Sequence, residues 1–186
     1  MRISQISSAS VLAKRRTTIL ALVALLGAVT IGVACTKTNA AYKDSVKTSL
    51  EQADLKDVNV SEDTNKNTIT LGGTLHSDDA KSRAGSIAQA NAGPRVVANE
   101  ISVEPVGNEG QARKEQSNLD DGIENNCKAT LISKGLNKQH ISCDAKNGVL
   151  TLKGSVKTPA ERKSAEELAQ NVPNVQQVVN EIQVRR

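Results

Sequence analysis

The sequence has no tryptophan and no phenylalanine, and its one tyrosine is Tyr42. A hydrophobic core must therefore be built from Val, Ile, Leu and Ala. Without aromatic platforms, binding of single-stranded nucleic acid by base stacking is disfavoured. Acidic residues are missing from the first 34 positions, which hold Arg2, Lys14, Arg15 and Arg16. The formal net charge of +4 arises there: from Cys35 onward, 20 basic residues balance 20 acidic ones. The rest of the chain thus lacks the basic excess of a nucleic-acid-binding protein. Also missing are a Gly-rich phosphate loop, a serine nucleophile elbow and a carboxylate pair at a signalled spacing. The two histidines, His76 and His140, do not make a metal site of ordinary ligand spacing, and both read as solvated surface residues.

Lys14-Arg15-Arg16 precedes an uncharged run of 18 residues from Thr17 to Ala34. A basic head, an apolar stretch and a small-residue exit form the pattern of an export signal. A retained membrane helix is the rival reading, because such a run just spans a hydrocarbon core of ~30 Å. The stretch Gly32-Val33-Ala34-Cys35 is similar to the lipobox of bacterial lipoproteins, in which the Cys is acylated and becomes the new N-terminus. Gly32 departs from the usual Leu, and ordinary cleavage after Ala34 or Ala40 is the alternative. Three cysteines are an odd number for an exported chain. Cys127 and Cys143 can pair in an oxidising compartment, which leaves Cys35 for lipid.

Two heptapeptides, Val97–Val103 (VANEISV) and Val178–Val184 (VVNEIQV), lie 81 residues apart. A gapless shift by that amount brings 16 identities into the 62 positions from Tyr42 to Val103. Among them are Leu50 with Leu131, Leu71 with Leu152, Gly73 with Gly154, and Asn99-Glu100 with Asn180-Glu181. Conservative pairs such as Val60 with Ile141 add to these. The chain therefore holds two copies of one small domain.

Each copy reads α-β-β-α-β. In the first helix, Tyr42, Val46 and Leu50, or Leu119, Ile123, Cys127 and Leu131, recur at helical spacing. A strand follows around Val58 and Val60, or Ile141 and Cys143. A polar turn comes next, in copy two the hairpin signal Asn147-Gly148. The next strand alternates through Ile69, Leu71, Gly73 and Leu75, or Leu150, Leu152, Gly154 and Val156. The second helix opens at Ser77, or at Thr158-Pro159-Ala160-Glu161, a capping box with proline at the first helical position. Both helices are expected to cover the one apolar sheet face. Gly73 and Gly154 lie on that face and are expected to admit a helix closely. In the last strand, Asn99 and Asn180 are expected to bond nearby backbone, with Glu100 and Glu181 facing solvent. Glu104 to Asn118 is polar, holds Gly and Pro, and reads as a linker.

The segments TITLGGTL and VLTLKGSV, the Ala-bearing second helices and the two closing heptapeptides together resemble the BON domain family. The resemblance implies an α+β fold of two tandem domains, each a three-stranded sheet with two helices on one face. It divides the chain into a signal peptide of lipoprotein type at 1–34, a tether at 35–41, a first BON domain at 42–103, a linker at 104–118 and a second BON domain at 119–186. It also implies an exported, membrane-anchored protein facing the periplasm, of the outer-membrane lipoprotein kind. Such a protein would bind phospholipid or envelope components and support envelope integrity or stress tolerance. No enzyme activity, catalytic residue, cofactor or metal is implied.

Lipid attraction would need a folded basic cluster, for which the sequence offers Lys153, Lys157, Arg162, Lys163, Arg185 and Arg186. The alternative is a periplasmic protein–protein adaptor with no lipid affinity beyond its anchor. An enzyme would need a site at the domain interface that no motif flags. Cys127 falls opposite the core position of Val46, and Cys143 shares the inward strand face with Ile141. A disulfide between them is therefore geometrically plausible, with two buried free thiols as the alternative. His140 lies on the opposite strand face from Cys143, so a Cys–His nucleophilic pair is not expected.

Overall fold

A computed structural model describes residues 40–136 and 140–185. The expected signal peptide, the expected lipidation site Cys35 and Arg186 fall outside them. Among the described residues, no helix is long and apolar enough to cross a membrane. Both copies belong to one compact unit.

The first copy comprises α1 (Ala40–Gln52), β1 (Val58–Asp63), β2 (Thr68–Leu75), α2 (Asp78–Asn91), β3 (Val96–Asn99) and the short β4 (Ser102–Val103). The second comprises α3 (Glu109–Ser133), β5 (Ser142–Lys146), β6 (Val149–Lys153), β7 (Ser155–Val156), α4 (Pro159–Gln170), β8 (Gln177–Asn180) and β9 (Gln183–Val184). This is the expected α+β order. In each sheet the hairpin strands are antiparallel, and the strand after the second helix returns parallel to the middle one. Ser77 caps α2 by accepting from the Ala80 N–H, and Thr158 and Glu161 form the complete capping box of α4.

Each copy has its own core. Val46, Leu50, Ile69, Leu71, Ala84, Ala88 and Ile101 close the first, and Ile123, Cys127, Leu131, Leu150, Leu152, Ala165, Ala169 and Ile182 close the second. Small alanines on α2 and α4 let those helices lie low on sheets made of branched side chains.

The glycines act differently from the expectation. Gly73 and Gly154 have φ of +103° and +123°, a region L side chains avoid. A Cβ there would sit 2.3 Å from the Asp57 carbonyl oxygen or 2.1 Å from that of His140. The close neighbour is thus the incoming first strand, not a helix.

The gapless repeat conceals two compensating length changes. Val60 pairs with Leu71, whereas Cys143, not Ile141, pairs with Leu152. In copy one, Asp63 and Thr68 close a hairpin loop of Thr64 to Asn67; in copy two, Lys146 and Val149 close the two-residue turn Asn147-Gly148. Copy two carries the missing two residues earlier, between Leu136 and Ile141. Both turn residues have positive φ, 50° and 81°, as a twisted two-residue hairpin demands.

The stretch from Glu104 to Asn118 is also more structured than a linker. Helix α3 begins at Glu109, so only 104–108 connect the copies without helix or strand. Beyond Gly107 the residues are mostly good helix formers. Pairs four apart, Gln111 with Glu115 at 2.9 Å and Gln116 with Asp120 at 3.0 Å, support these roughly three polar turns. Glu109 accepts the Gly107 N–H at 2.8 Å, and that bond holds its carboxyl below the usual range.

The sheet faces turned away from the helices meet each other. Ala98, Val149 and Val179 form an apolar contact there, and Thr68 and Thr151 are buried beside it. Glu100 and Glu181, expected to face solvent, instead reach across in opposite directions. Glu100 pairs with Lys146 at 3.1 Å and Glu181 with Lys66 at 3.0 Å. Each lysine belongs to the other copy's hairpin, and the hydrogen bond that Lys66 donates to Glu181 raises the lysine pKa. The Glu half of the repeated Asn-Glu pair is therefore an interface device. The Asn half behaves as expected: Asn99 and Asn180 donate to the Lys81 and Arg162 carbonyls at 2.9 and 3.2 Å, tying β3 and β8 to their own second helices.

Candidate functional site

The folded chain divides the proposed basic cluster. Lys153, at the end of β6, forms an ion pair with Asp144, and Lys163 pairs with Glu167 one helical turn on, at 3.6 Å. Each of these two lysines thus has a carboxylate beside it. Lys157 follows β7 and Arg185 follows β9; the Arg185 N–H donates to the Val156 carbonyl at 2.9 Å, so the two exposed side chains stand on adjacent strand ends. Arg162, in the first turn of α4, is also exposed and donates to the Asn180 carbonyl at 3.1 Å. Lys157, Arg162 and Arg185 form no ion pair among the described residues. The site is thus three cations at strand and helix ends, with Arg186 beyond the described chain.

The matching positions of copy one are His76, Lys81 and Glu104, and all are occupied by internal contacts. Arg113 on α3 grips Glu104 through Nε at 3.2 Å and Nη2 at 2.8 Å, which holds that carboxyl below its usual range. His76 Nδ1 lies 2.8 Å from the Glu104 carbonyl. Lys81 donates to the Asn147 carbonyl of the other copy at 2.8 Å, and burial lowers its pKa.

Cys127 on α3 and Cys143 on β5 lie in the second core with sulfurs 2.00 Å apart and Cα atoms 6.3 Å apart, a pair capable of a disulfide. His140 is exposed ahead of β5. Among the described residues, no group of three or more His, Cys, Asp or Glu is placed to hold a metal. Among the described residues are an open cleft of about 520 Å³ beside α3 and α4, lined in part by Leu136 and Leu168, and a polar one of about 320 Å³ where α3 meets the Asn147 turn. Ser164 shares the first with Glu161 and Glu167, and Ser102 and Ser117 share the second with Asp120 and Asp121, with no hydrogen bond between Ser102 or Ser117 and either aspartate among the described residues.

Two feature sets escaped the sequence reading. One is the cross-copy contact. Gln177 on β8 uses its side-chain amide as a strand would, accepting from the Asn99 N–H at 3.2 Å and donating to the Val97 carbonyl. The other is a closing cluster in copy one. Arg95 and Glu62 are 2.8 Å apart, each side chain only 6 % exposed, and the guanidinium lies 5.9 Å from the Tyr42 ring centroid. The repetition of Asn99-Glu100 and Asn180-Glu181 was the available signal for the first. Nothing in the pattern signals the second.

Fold and site together define a tandem of small α+β modules with a shared interface and a cationic strand end. The BON domain family matches residues 38–105 and 119–186, and the chain belongs to it. That family is not an enzymatic one and is associated with phospholipid binding. Among the solved structures similar in part are two of CdsD, a structural protein of the type III secretion system of Chlamydia trachomatis. One is 12 % identical, with 76 % of this chain and 91 % of that one covered at a TM-score of 0.33. The other, a C-terminal domain, is 11 % identical, with 77 % and 96 % covered at 0.32. No curated protein matches the chain.

Proposed function

We propose that this is a non-enzymatic envelope lipoprotein, anchored through acylated Cys35 and facing the periplasm, whose paired BON domains bind phospholipid and support envelope integrity under stress. The observation that carries the reading is the contrast between equivalent strand ends. Copy two presents Lys157, Arg162 and Arg185 without acidic partners, while copy one has its counterparts consumed by Arg113 and by the interface. One end of the unit is thereby cationic although the chain from Cys35 onward is neutral. Each cation near an anionic bilayer contributes about 1 kcal/mol, so three are enough for weak, salt-sensitive attachment that an anchor would reinforce.

Co-sedimentation of residues 36–186 with anionic and neutral vesicles tests the binding. Salt-sensitive binding to anionic vesicles is expected. Lys157→Ala with Arg185→Ala should weaken it by roughly tenfold or more, and Lys153→Ala by little. Equal failure to bind either vesicle would leave the lipid as a tether only and favour the adaptor reading. Intact mass from native membranes tests the anchor: a diacylglyceryl-modified chain starting at Cys35 is expected, and an unmodified chain starting at Ala41 would overturn it.

A further inference from the structure

Asn147-Gly148 is the one Asn-Gly sequence in the chain. That dipeptide has an intrinsic chemistry. The Gly nitrogen, on losing its proton to solvent base, attacks the Asn side-chain carbonyl carbon. A C–N bond forms in a five-membered succinimide, and the side-chain nitrogen leaves as ammonia. Water then opens the ring at either carbonyl to give aspartate or isoaspartate. Without a Cβ on the next residue, the attack meets little steric resistance.

In the folded chain, both the nucleophile and the leaving group of this step are held in hydrogen bonds. The Gly148 N–H, the nucleophile, donates to Asp120 Oδ1 at 3.0 Å, and the Asn147 N–H donates to Oδ2 at 2.8 Å. The leaving amide donates to the Glu100 carbonyl of the other copy at 2.8 Å. The Asn147 carbonyl accepts from Lys81 Nζ, also of the other copy, at 2.8 Å. Gln116 donates to the same Asp120 carboxylate at 3.0 Å, which fixes that carboxylate under the turn. Two of these holds come from across the interface. The next residue back, Lys146, carries the ion pair to Glu100.

We propose that Asn147 is a deamidation site kept unreactive by the closed domain pair, so that separation of the copies exposes it to conversion. The product opposes closure. A carboxylate at position 147 loses the donor to the Glu100 carbonyl and places negative charge beside Glu100, whose own charge Lys146 must then share. Isoaspartate also lengthens the backbone within a two-residue turn. A transient opening is thereby converted into a lasting one.

The test uses the full two-domain protein at mildly alkaline pH, with peptide mapping of Asn147 for the amide-to-acid mass gain and for isoaspartate. The folded wild type should convert slowly and the denatured chain quickly. Asp120→Ala should speed conversion roughly tenfold, the scale set by losing hydrogen bonds of ordinary strength. Because that change could unfold copy two, Glu181→Lys serves as a second variant: it sets like charge against Lys66, loosens the interface and touches no atom of the turn. It too should accelerate conversion. Equal rates in folded and denatured wild type, or unchanged rates in both folded variants, would overturn the proposal. Asn147→Asp, made directly, should show faster amide hydrogen exchange in β3 and β8; wild-type exchange there would overturn the claim that the product opposes closure.

Discussion

The two copies close the same end of the same fold by different chemistry. Where copy two places Cys127 against Cys143, copy one places Val46 and Val60, an apolar contact. Where copy one buries Arg95 with Glu62 beneath Tyr42, the positions in copy two carry Gln176, Ala145 and Ile123. The shared parts are those the fold requires: the left-handed glycine, the alanines of the second helix and the Asn that ties the last strand to it. The remainder was free to diverge, so each copy acquired its own fastening. Gly93 belongs to this divergence, since a Cβ there would strike the Tyr42 ring at 2.2 Å.

The comparison can be broken most severely in copy one. Glu62→Ala leaves a mostly buried guanidinium without its counter-charge, held by Asn67 Oδ1 at 2.6 Å, and should cost about 3 kcal/mol, whereas removing Arg95 as well should recover much of it. Tyr42 belongs to copy one and is the sole tyrosine, so its fluorescence in a denaturant titration reads that copy selectively. The next effect belongs to copy two. Cys127→Val with Cys143→Val installs copy one's own solution there, restoring apolar contact but removing a cross-link worth about 3 kcal/mol on the chain-entropy account. Hydrogen exchange should rise in α3 and β5 of this variant and of the thiol-reduced wild type alike. No change on reduction would mean that the pair is not oxidised.

Much of this fold is legible in sequence, because local rules decide it. The Thr158 capping box, the Asn147-Gly148 turn and the strand alternation of Ile69, Leu71 and Leu75 each carry their cause within a few residues. What escapes is what depends on distant partners or on length. A gapless shift aligned Val60 with Ile141, since two residues lost from the copy-two hairpin are regained between Leu136 and Ile141. The Glu100 and Glu181 partners lie on the other copy, where no periodicity reaches them. The polar start of α3 looked like a linker because its stabilising contact, Arg113 with Glu104, is not an apolar one. The basic cluster was legible as composition only; folding decided which of its members keep their charge free.

Sharper and smaller is the asymmetry at the interface itself. Gln177 satisfies the free edge of β3, while its counterpart Val96 has no amide with which to return the contact and stays 45 % exposed. Gln177→Val makes the copies alike at this point. It should cost about 1 kcal/mol, with exchange rising at the Asn99 amide and little change in either core. Loss of both cores together would mean that the interface, not each core, holds the copies folded.

The smallest expected effect concerns acid. Arg113 lowers the Glu104 carboxyl, so this pair contributes stability in full above the ordinary carboxylate pKa, and the contribution is lost as pH falls through the lower folded value. Copy two has Arg185 at the same strand position, exposed and without an acidic partner among the described residues. Glu104→Gln should therefore flatten the acid limb of the melting-temperature profile, with its effect confined to the first copy and the start of α3. The carboxylate is also the device by which copy one neutralises its own strand end. In the variant, Arg113 loses its partner, and the first copy gains a free cation where the second already has one. Anionic-vesicle binding should then rise slightly rather than fall. A fall would mean that the strand-end charge is not what distinguishes the two copies at a membrane.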